Sequence, residues 1–171
     1  MRRVLVTASA SGNGKTTVGR ELAAQLGVPF VELDSIVHGP GWIEISDAEL
    51  RARLEPILAG DGWVIDGGYT RKLGRLVIDA ADMIVWLDLP MRVWLPRLVR
   101  RSYRRMRGRE PLWNGNRETL ASLLGGRDSL FGYAIQAHFR RRREWPELFA
   151  ECNVLRLRTP AEVADFLERG G

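Results

Sequence analysis

The chain predicts an α/β fold built on a doubly wound parallel sheet, and three observations carry that prediction. Short β-branched and apolar runs alternate with stretches of helical periodicity along the whole sequence. One of those runs, Met83-Ile84-Val85-Trp86-Leu87, is apolar at every position, as expected of a strand covered on both faces. A turn rich in Ser, Gly and Asn joins the first strand to the first helix. With 171 residues and 45% apolar content the sequence can bury one core, so residues 1–171 are expected to form a single domain.

The elements follow in order. Arg3 to Ala8 reads as a strand, and after the turn Val18, Leu22 and Leu26 mark a helix for which Gly27 is the C-cap. Val28 to Leu33 reads as a second strand ending at Asp34, parallel to the first because a helix lies between them. Ser46, with Glu49 three residues on, caps a short helix through Leu50, Leu54 and Leu58 that ends near Gly60. Trp63 to Asp66 is the third strand and runs into Gly67-Gly68; Met83 to Leu87 is the fourth and Val154 to Leu157 the fifth. Arg92 to Arg107 reads as a long basic helix whose Pro96 must sit in the first turn or kink it. Gly108 to Gly126, with Pro111, Asn114-Gly115-Asn116 and Gly125-Gly126, is the most loop-like stretch and is expected to form a flap. A last amphipathic helix begins near Pro160 and carries Val163, Phe166 and Leu167 inward.

Charge narrows the class of partner. The net charge is +5, but residues 92–143 contain fourteen arginines and three acidic side chains, about +11, while the remaining 12 basic and 18 acidic residues leave the rest at −6. A local basic patch of that kind attracts phosphates, whether of a nucleotide or of nucleic acid. The single Cys152 excludes an internal disulfide framework and a cysteine zinc cluster and fits a reducing compartment. The apolar run after Arg2-Arg3 is too short for a signal peptide or a membrane span, so a cytoplasmic protein with no membrane partner is expected. His38 and His138 have no partners at ligand spacing, which argues against a metal other than Mg²⁺; His38 is a marginal acceptor-site residue.

The segment Ser9-Ala10-Ser11-Gly12-Asn13-Gly14-Lys15-Thr16-Thr17 lies between a strand and a helix, the context that gives a Walker A match its meaning. Small residues let the backbone N–H groups of Ser11 to Thr17 converge on phosphate oxygens, and the helix N-terminus adds its positive dipole end. Lys15 would neutralise the β- and γ-phosphates and Thr16 would ligate Mg²⁺. Ser9 replaces the first glycine of the pattern, which is tolerable if its backbone angles are ordinary. ATP and Mg²⁺ are therefore the expected cofactors.

Taken together, Gly12-Asn13-Gly14-Lys15-Thr16-Thr17, Leu33-Asp34, Pro40-Gly41-Trp42 and the run from Trp63 through Asp66-Gly67-Gly68-Tyr69-Thr70-Arg71 resemble the adenylate-kinase-like P-loop kinases known as topology modulation proteins. More distantly the chain resembles nucleoside monophosphate kinases and shikimate kinases, and that likeness implies a P-loop fold with five parallel strands in the order 2-3-1-4-5. It also implies an acceptor-binding segment at about 34–60 and a helical, arginine-rich lid at about 104–143. Chemistry and resemblance together give the residue roles. Asp34 would hold a Mg²⁺-bound water or accept the acceptor's proton, and Asp66 resembles the Walker B aspartate that contacts Mg²⁺ from the outer sphere. Gly67 and Gly68 would let the acceptor approach the backbone, and Arg71 would grip an anionic group on it. Trp42 and Tyr69 would line the acceptor pocket. Arg97 and Arg101, four apart on one helix face, match the arginines that hold nucleotide and transferred phosphoryl group in adenylate-kinase-like proteins; Arg140 and Arg143 are candidates for a second clamp. Arg158, after the last strand, falls at the adenine-binding edge of related kinases.

The expectation is an ATP-dependent phosphotransferase that moves the γ-phosphoryl group to a small acceptor, either a nucleotide or nucleoside or a polyol-type molecule, working as a monomer or homodimer. The alternative is an ATP-binding regulatory or nucleic-acid-binding protein, favoured by the arginines but lacking a recognisable helix-turn-helix or RNP motif. A GTPase is disfavoured because Leu87-Asp88-Leu89-Pro90 contains no Asn-Lys-x-Asp element. The Asp-x-Asp pattern expected of shikimate kinases after strand two is also absent, since Asp34-Ser35-Ile36 stands there.

Overall fold

Alternating side chains of one strand fix the layering. In β1 (Arg3–Ala8), Leu5 points into one core and Val4, Val6 and Ala8 into another. The computed structural model describes residues 2–108, 112–116, 123 and 129–170. Its five strands, β1, β2 (Phe30–Glu32), β3 (Trp63–Asp66), β4 (Met83–Leu87) and β5 (Val154–Leu157), pair in parallel in the order β2-β3-β1-β4-β5. The expected order of strands is the observed one, and β4 is buried at every residue, as its unbroken apolar run requires.

Helices cover both faces. α1 (Lys15–Leu26) and the C-terminal α8 (Pro160–Glu168) bury Val18, Leu22 and Phe166 against Val4, Val6, Val64 and Val85. On the other face α3 (Asp47–Leu58) supplies Leu50 and Leu54, and the long α7 (Leu130–Leu148) and the turn after it supply Trp145 and Phe149, to a core around Leu5, Ile65 and Trp86. The predicted caps are present: Ser46 accepts from the Glu49 amide, and Gly27, at φ 62°, closes α1 through the Ala23 and Ala24 carbonyls.

Two expectations are corrected and one unassigned stretch is filled. The second strand stops at Glu32, and α2 (Leu33–Val37) follows at once because Leu33 and Val37, one helical turn apart, are both buried; Asp34 therefore sits in the first turn of a helix. Two short helices, α4 (Thr70–Leu73) and α5 (Leu76–Ala80), fill the stretch between β3 and β4, separated where Gly74 takes φ 60°. α6 (Met91–Gly108) runs continuously with Pro96 in its second turn, where the loss of one N–H leaves a carbonyl on the exposed Arg92 to water. Of the predicted flap, residues 112–116 form a turn around Trp113–Gly115 and Leu123 is buried; residues 109–111, 117–122 and 124–128 lie outside the described residues.

Candidate active site

The loop that follows β1 is held from below. Ser9, where the pattern has glycine, does not have a positive φ; its hydroxyl donates to Asp88 Oδ1 at 2.6 Å and accepts from Trp86 Nε1 at 2.9 Å. Asp88, fully buried, also takes two hydrogen bonds from Arg156, at 3.1 and 2.7 Å, and pairs with Arg142 at 3.2 Å. The Asn13 side chain is spent on the loop itself, donating to the Ala10 carbonyl and accepting from the Leu89 amide, so only its backbone can serve a ligand. Gly12 takes φ 86° with α6 against it, and Gly14, at φ 93°, opens α1. The result is a helix N-terminus and a run of small residues facing a large cleft, the geometry of an anion cradle.

At the edge of that cradle Lys15 Nζ pairs with Asp66 Oδ1, and Thr16 Oγ1 donates to Asp66 Oδ2 at 2.6 Å. Asp66 is buried at the end of β3, which the register places beside Val6 of β1. A second carboxylate, Glu32 at the end of β2, lies 3.3 Å from Thr16 Oγ1 and 3.6 Å from Arg20. Sequence reasoning missed Glu32 because its relation to residues 16 and 66 exists only after the strands pair. Among the described residues no three His, Cys, Asp or Glu side chains gather as a metal cage. A hydroxyl flanked by two carboxylates is still the donor set that suits Mg²⁺, which keeps several waters and takes the rest of its oxygens from phosphates.

The other end of the cleft is built by α2, the turn after β3 and α7. Tyr69, with φ 41°, donates its hydroxyl to Asp34 Oδ1 at 2.6 Å and lies 3.2 Å from His38 Nε2. Burial, then the charge and hydrogen bond of Asp34, push the Tyr69 pKa far upward, so this hydroxyl keeps its proton. Gly67, Gly68, Arg71 and Trp42 line the same space, with Trp42 (φ 63°) held by a hydrogen bond from its amide to Asn116 of the flap.

The arginines separate into groups. Arg97 and Arg101 both face the cleft from α6, as does Arg140 from α7. Arg143 is not part of the cleft lining: its side chain is 80% exposed and pairs with Glu144. Arg158 is also exposed and away from the cleft lining, its amide bound to Glu162. A further arginine of the cleft lining, which sequence reasoning passed over, is Arg141. Its guanidinium donates to the Ala8 carbonyl at 2.8 Å, lies 5.1 Å from the Trp145 ring centre, and is desolvated enough to lower its pKa, with Asp34 among the charges it feels. Nothing in the spacing of Arg140 to Arg143 distinguishes them; only the packing of α7 sets Arg140 and Arg141 on the cleft, Arg142 against Asp88 and Arg143 in solvent.

Comparison with known proteins adds four findings. A shikimate kinase family model matches residues 11–46, the stretch from the phosphate cradle to the start of α3. A shikimate kinase of Halorhodospira halophila is 32% identical over 135 residues, which cover 70% of this chain and 73% of the relative. One of Bradyrhizobium diazoefficiens is 29% identical over 168 residues, covering 88% and 77%. The structure of an Acinetobacter baumannii shikimate kinase in complex with shikimate superposes with a TM-score of 0.59 at 17% identity, over 99% of this chain and 90% of that one, a likeness of fold.

Proposed function

The chain belongs to the shikimate kinase family, and from that premise we propose that its acceptor is a small hydroxylated acid, phosphorylated on the hydroxyl that Asp34 receives. The protein is an ATP-dependent phosphotransferase that acts on a small-molecule acceptor and uses Mg²⁺. The observation that carries the acceptor reading is Asp34 itself: one carboxylate oxygen is taken by Tyr69, and the group shares a cleft with the phosphate cradle and with Arg71 and Arg141. A carboxylate placed this way accepts a hydroxyl proton, and two arginines beside it suit an acid.

In this reading the acceptor oxygen bonds to the γ-phosphorus as the bond to the ADP oxygen breaks, and the hydroxyl proton passes to Asp34. Lys15, Arg97 and Arg101 stabilise charge on the transferred group. Thr16 would hold Mg²⁺ directly, with Asp66 and Glu32 contacting its waters; the ion supplies charge neutralisation on the phosphates. Asp34 is assigned to the acceptor and not to the metal because Tyr69 turns it that way. Gly67 and Gly68 admit the acceptor, and Arg140 stands at the cleft's rim. Ile36, packed against the core where the Asp-x-Asp pattern has its second carboxylate, leaves one carboxylate there to read hydroxyls.

The unit acts as one domain, with residues 34–60 holding the acceptor and 104–143 forming the lid, and needs no partner chain to complete its core. Within the family we group it with the topology modulation proteins, on the Leu33-Asp34, Pro40-Gly41-Trp42 and Asp66–Arg71 segments. The test is ADP release from MgATP across shikimate, gluconate, other sugar acids, nucleosides and nucleotides. Stimulation by a hydroxylated acid is expected. Stimulation by a nucleotide alone would overturn the acceptor class, and salt-sensitive DNA binding with no stimulation by anything would favour the regulatory alternative.

A further inference from the structure

One partly buried side chain beside Tyr69 and Asp34 has no part in the proposed reaction. His38 follows α2 with its ring 6.1 Å from Trp113 in a stacked arrangement and 5.6 Å from Trp42 edge-on, so packing holds the imidazole plane. Asn114 of the flap donates to the His38 carbonyl at 2.5 Å and ties down the backbone as well. The ring's Nε2 points at the Tyr69 hydroxyl, 3.2 Å away, and Nδ1 is buried with no hydrogen-bond partner, 3.9 Å from Glu44 Oε1.

A phenol has one proton to donate and lone pairs to accept with. At 2.6 Å from Asp34, Tyr69 gains most by donating to the carboxylate, since a hydrogen bond to an ionised acceptor is about twice as strong as a neutral one. The 3.2 Å contact is then a hydrogen bond only if His38 carries its proton on Nε2. The neutral Nε2–H tautomer and the imidazolium both satisfy this, the latter turning Nδ1–H toward Glu44. The Nδ1–H tautomer does not: its bare Nε2 would compete for the Tyr69 proton and release Asp34.

We infer that His38 is a positioning residue for phosphoryl transfer: by donating from Nε2 to the Tyr69 oxygen it commits the Tyr69 proton to Asp34 and leaves the other Asp34 oxygen to take the acceptor's proton. His38 touches neither nucleotide nor acceptor in this role and acts through Tyr69. The inference rests on the assignment of Asp34 as the proton acceptor, but its geometric half does not.

Two measurements separate those halves. Long-range ¹H–¹⁵N NMR of the ¹⁵N-labelled full chain reads the tautomer of each imidazole, and with only two histidines His38→Gln assigns the His38 signals. The expected result is a proton on Nε2, with Tyr69→Phe shifting that nitrogen; an Nδ1–H tautomer in the wild type overturns the inference whatever the acceptor proves to be. In acceptor-stimulated ADP release, with shikimate and gluconate as first probes, His38→Ala should lower kcat about tenfold, the worth of one hydrogen bond, with KM for ATP unchanged. His38→Gln, whose amide N–H reaches the same oxygen, should recover most of that loss. In a Tyr69→Phe background His38→Ala should cost nothing further; an equal loss in both backgrounds means a merely structural role and overturns the inference. If no acceptor stimulates the wild type, the functional reading falls and the tautomer still decides the geometry.

Discussion

Gly12 and Gly14 stand two residues apart in the same loop, both at positive φ, yet they are glycines for different reasons. A Cβ on Gly12 would lie 2.6 Å from the Trp94 carbonyl oxygen of α6, whereas one on Gly14 would meet nothing within 4 Å. Gly14→Ala should therefore cost only left-handed strain, about 1–2 kcal/mol. Gly12→Ala must in addition push the loop off α6 and should cost about 3 kcal/mol or more, with a parallel loss of MgATP affinity. Urea unfolding and nucleotide titration of the two variants check this, and equal effects would show that α6 does not back the loop. The same logic of local strain applies to Tyr69, whose φ of 41° is unusual for a bulky side chain and is held by the hydrogen bond to Asp34.

At the level of elements, α6 and α7 meet beneath the cradle through Ala10, Trp94, Leu98 and Ala134. His138 of α7 is buried there against Trp94, with Arg142 at 3.3 Å from Nε2 and Nδ1 without a partner. Burial, then the Arg142 charge, lower its pKa, against an opposing pull from Asp88. Because the folded pKa lies below the unfolded value near 6.5, the unfolded chain binds the proton more readily, so this contribution to stability is complete above about pH 6.5 and is lost as pH falls toward the folded pKa. Thermal unfolding between about pH 7 and pH 5 should show Tm falling with pH, and His138→Phe should flatten that slope; an unchanged slope would show that another group carries it. The strands and α1 were legible because apolar runs, Gly27 and the Gly-Lys-Thr turn are local signals. α2, α4 and α5 were not, because each is too short for periodicity and is fixed by what it buries. The site divides in the same way. Lys15, Thr16 and Asp66 announce themselves by sequence context, while Glu32, Asp88 and Arg141 acquire their roles only when β2, β4 and α7 are set beside the loop.

For the whole molecule, the sheet order sets the reaction's geography. β1 and β3 lie side by side, so the loop after one and the aspartate ending the other converge, and β2 outside β3 carries the chain to Asp34 on the acceptor side. The turn at 112–116 is tied to the segment from His38 to Trp42, with Asn114 donating to the His38 carbonyl and Asn116 bonded to Gly39 and Trp42. The cleft has two chemically distinct ends, cationic and rich in backbone N–H at the cradle, carboxylate and aromatic at Asp34, which the proposed reaction gives to nucleotide and acceptor. The most direct test of this account is acceptor-stimulated ADP release by the wild type, Lys15→Ala and Asp34→Asn, measured beside their affinities for MgATP. Lys15→Ala should lose about 10²–10³ in kcat, and Asp34→Asn about 10²–10⁴ with MgATP affinity kept. Stimulated turnover that survives intact in Lys15→Ala would contradict it.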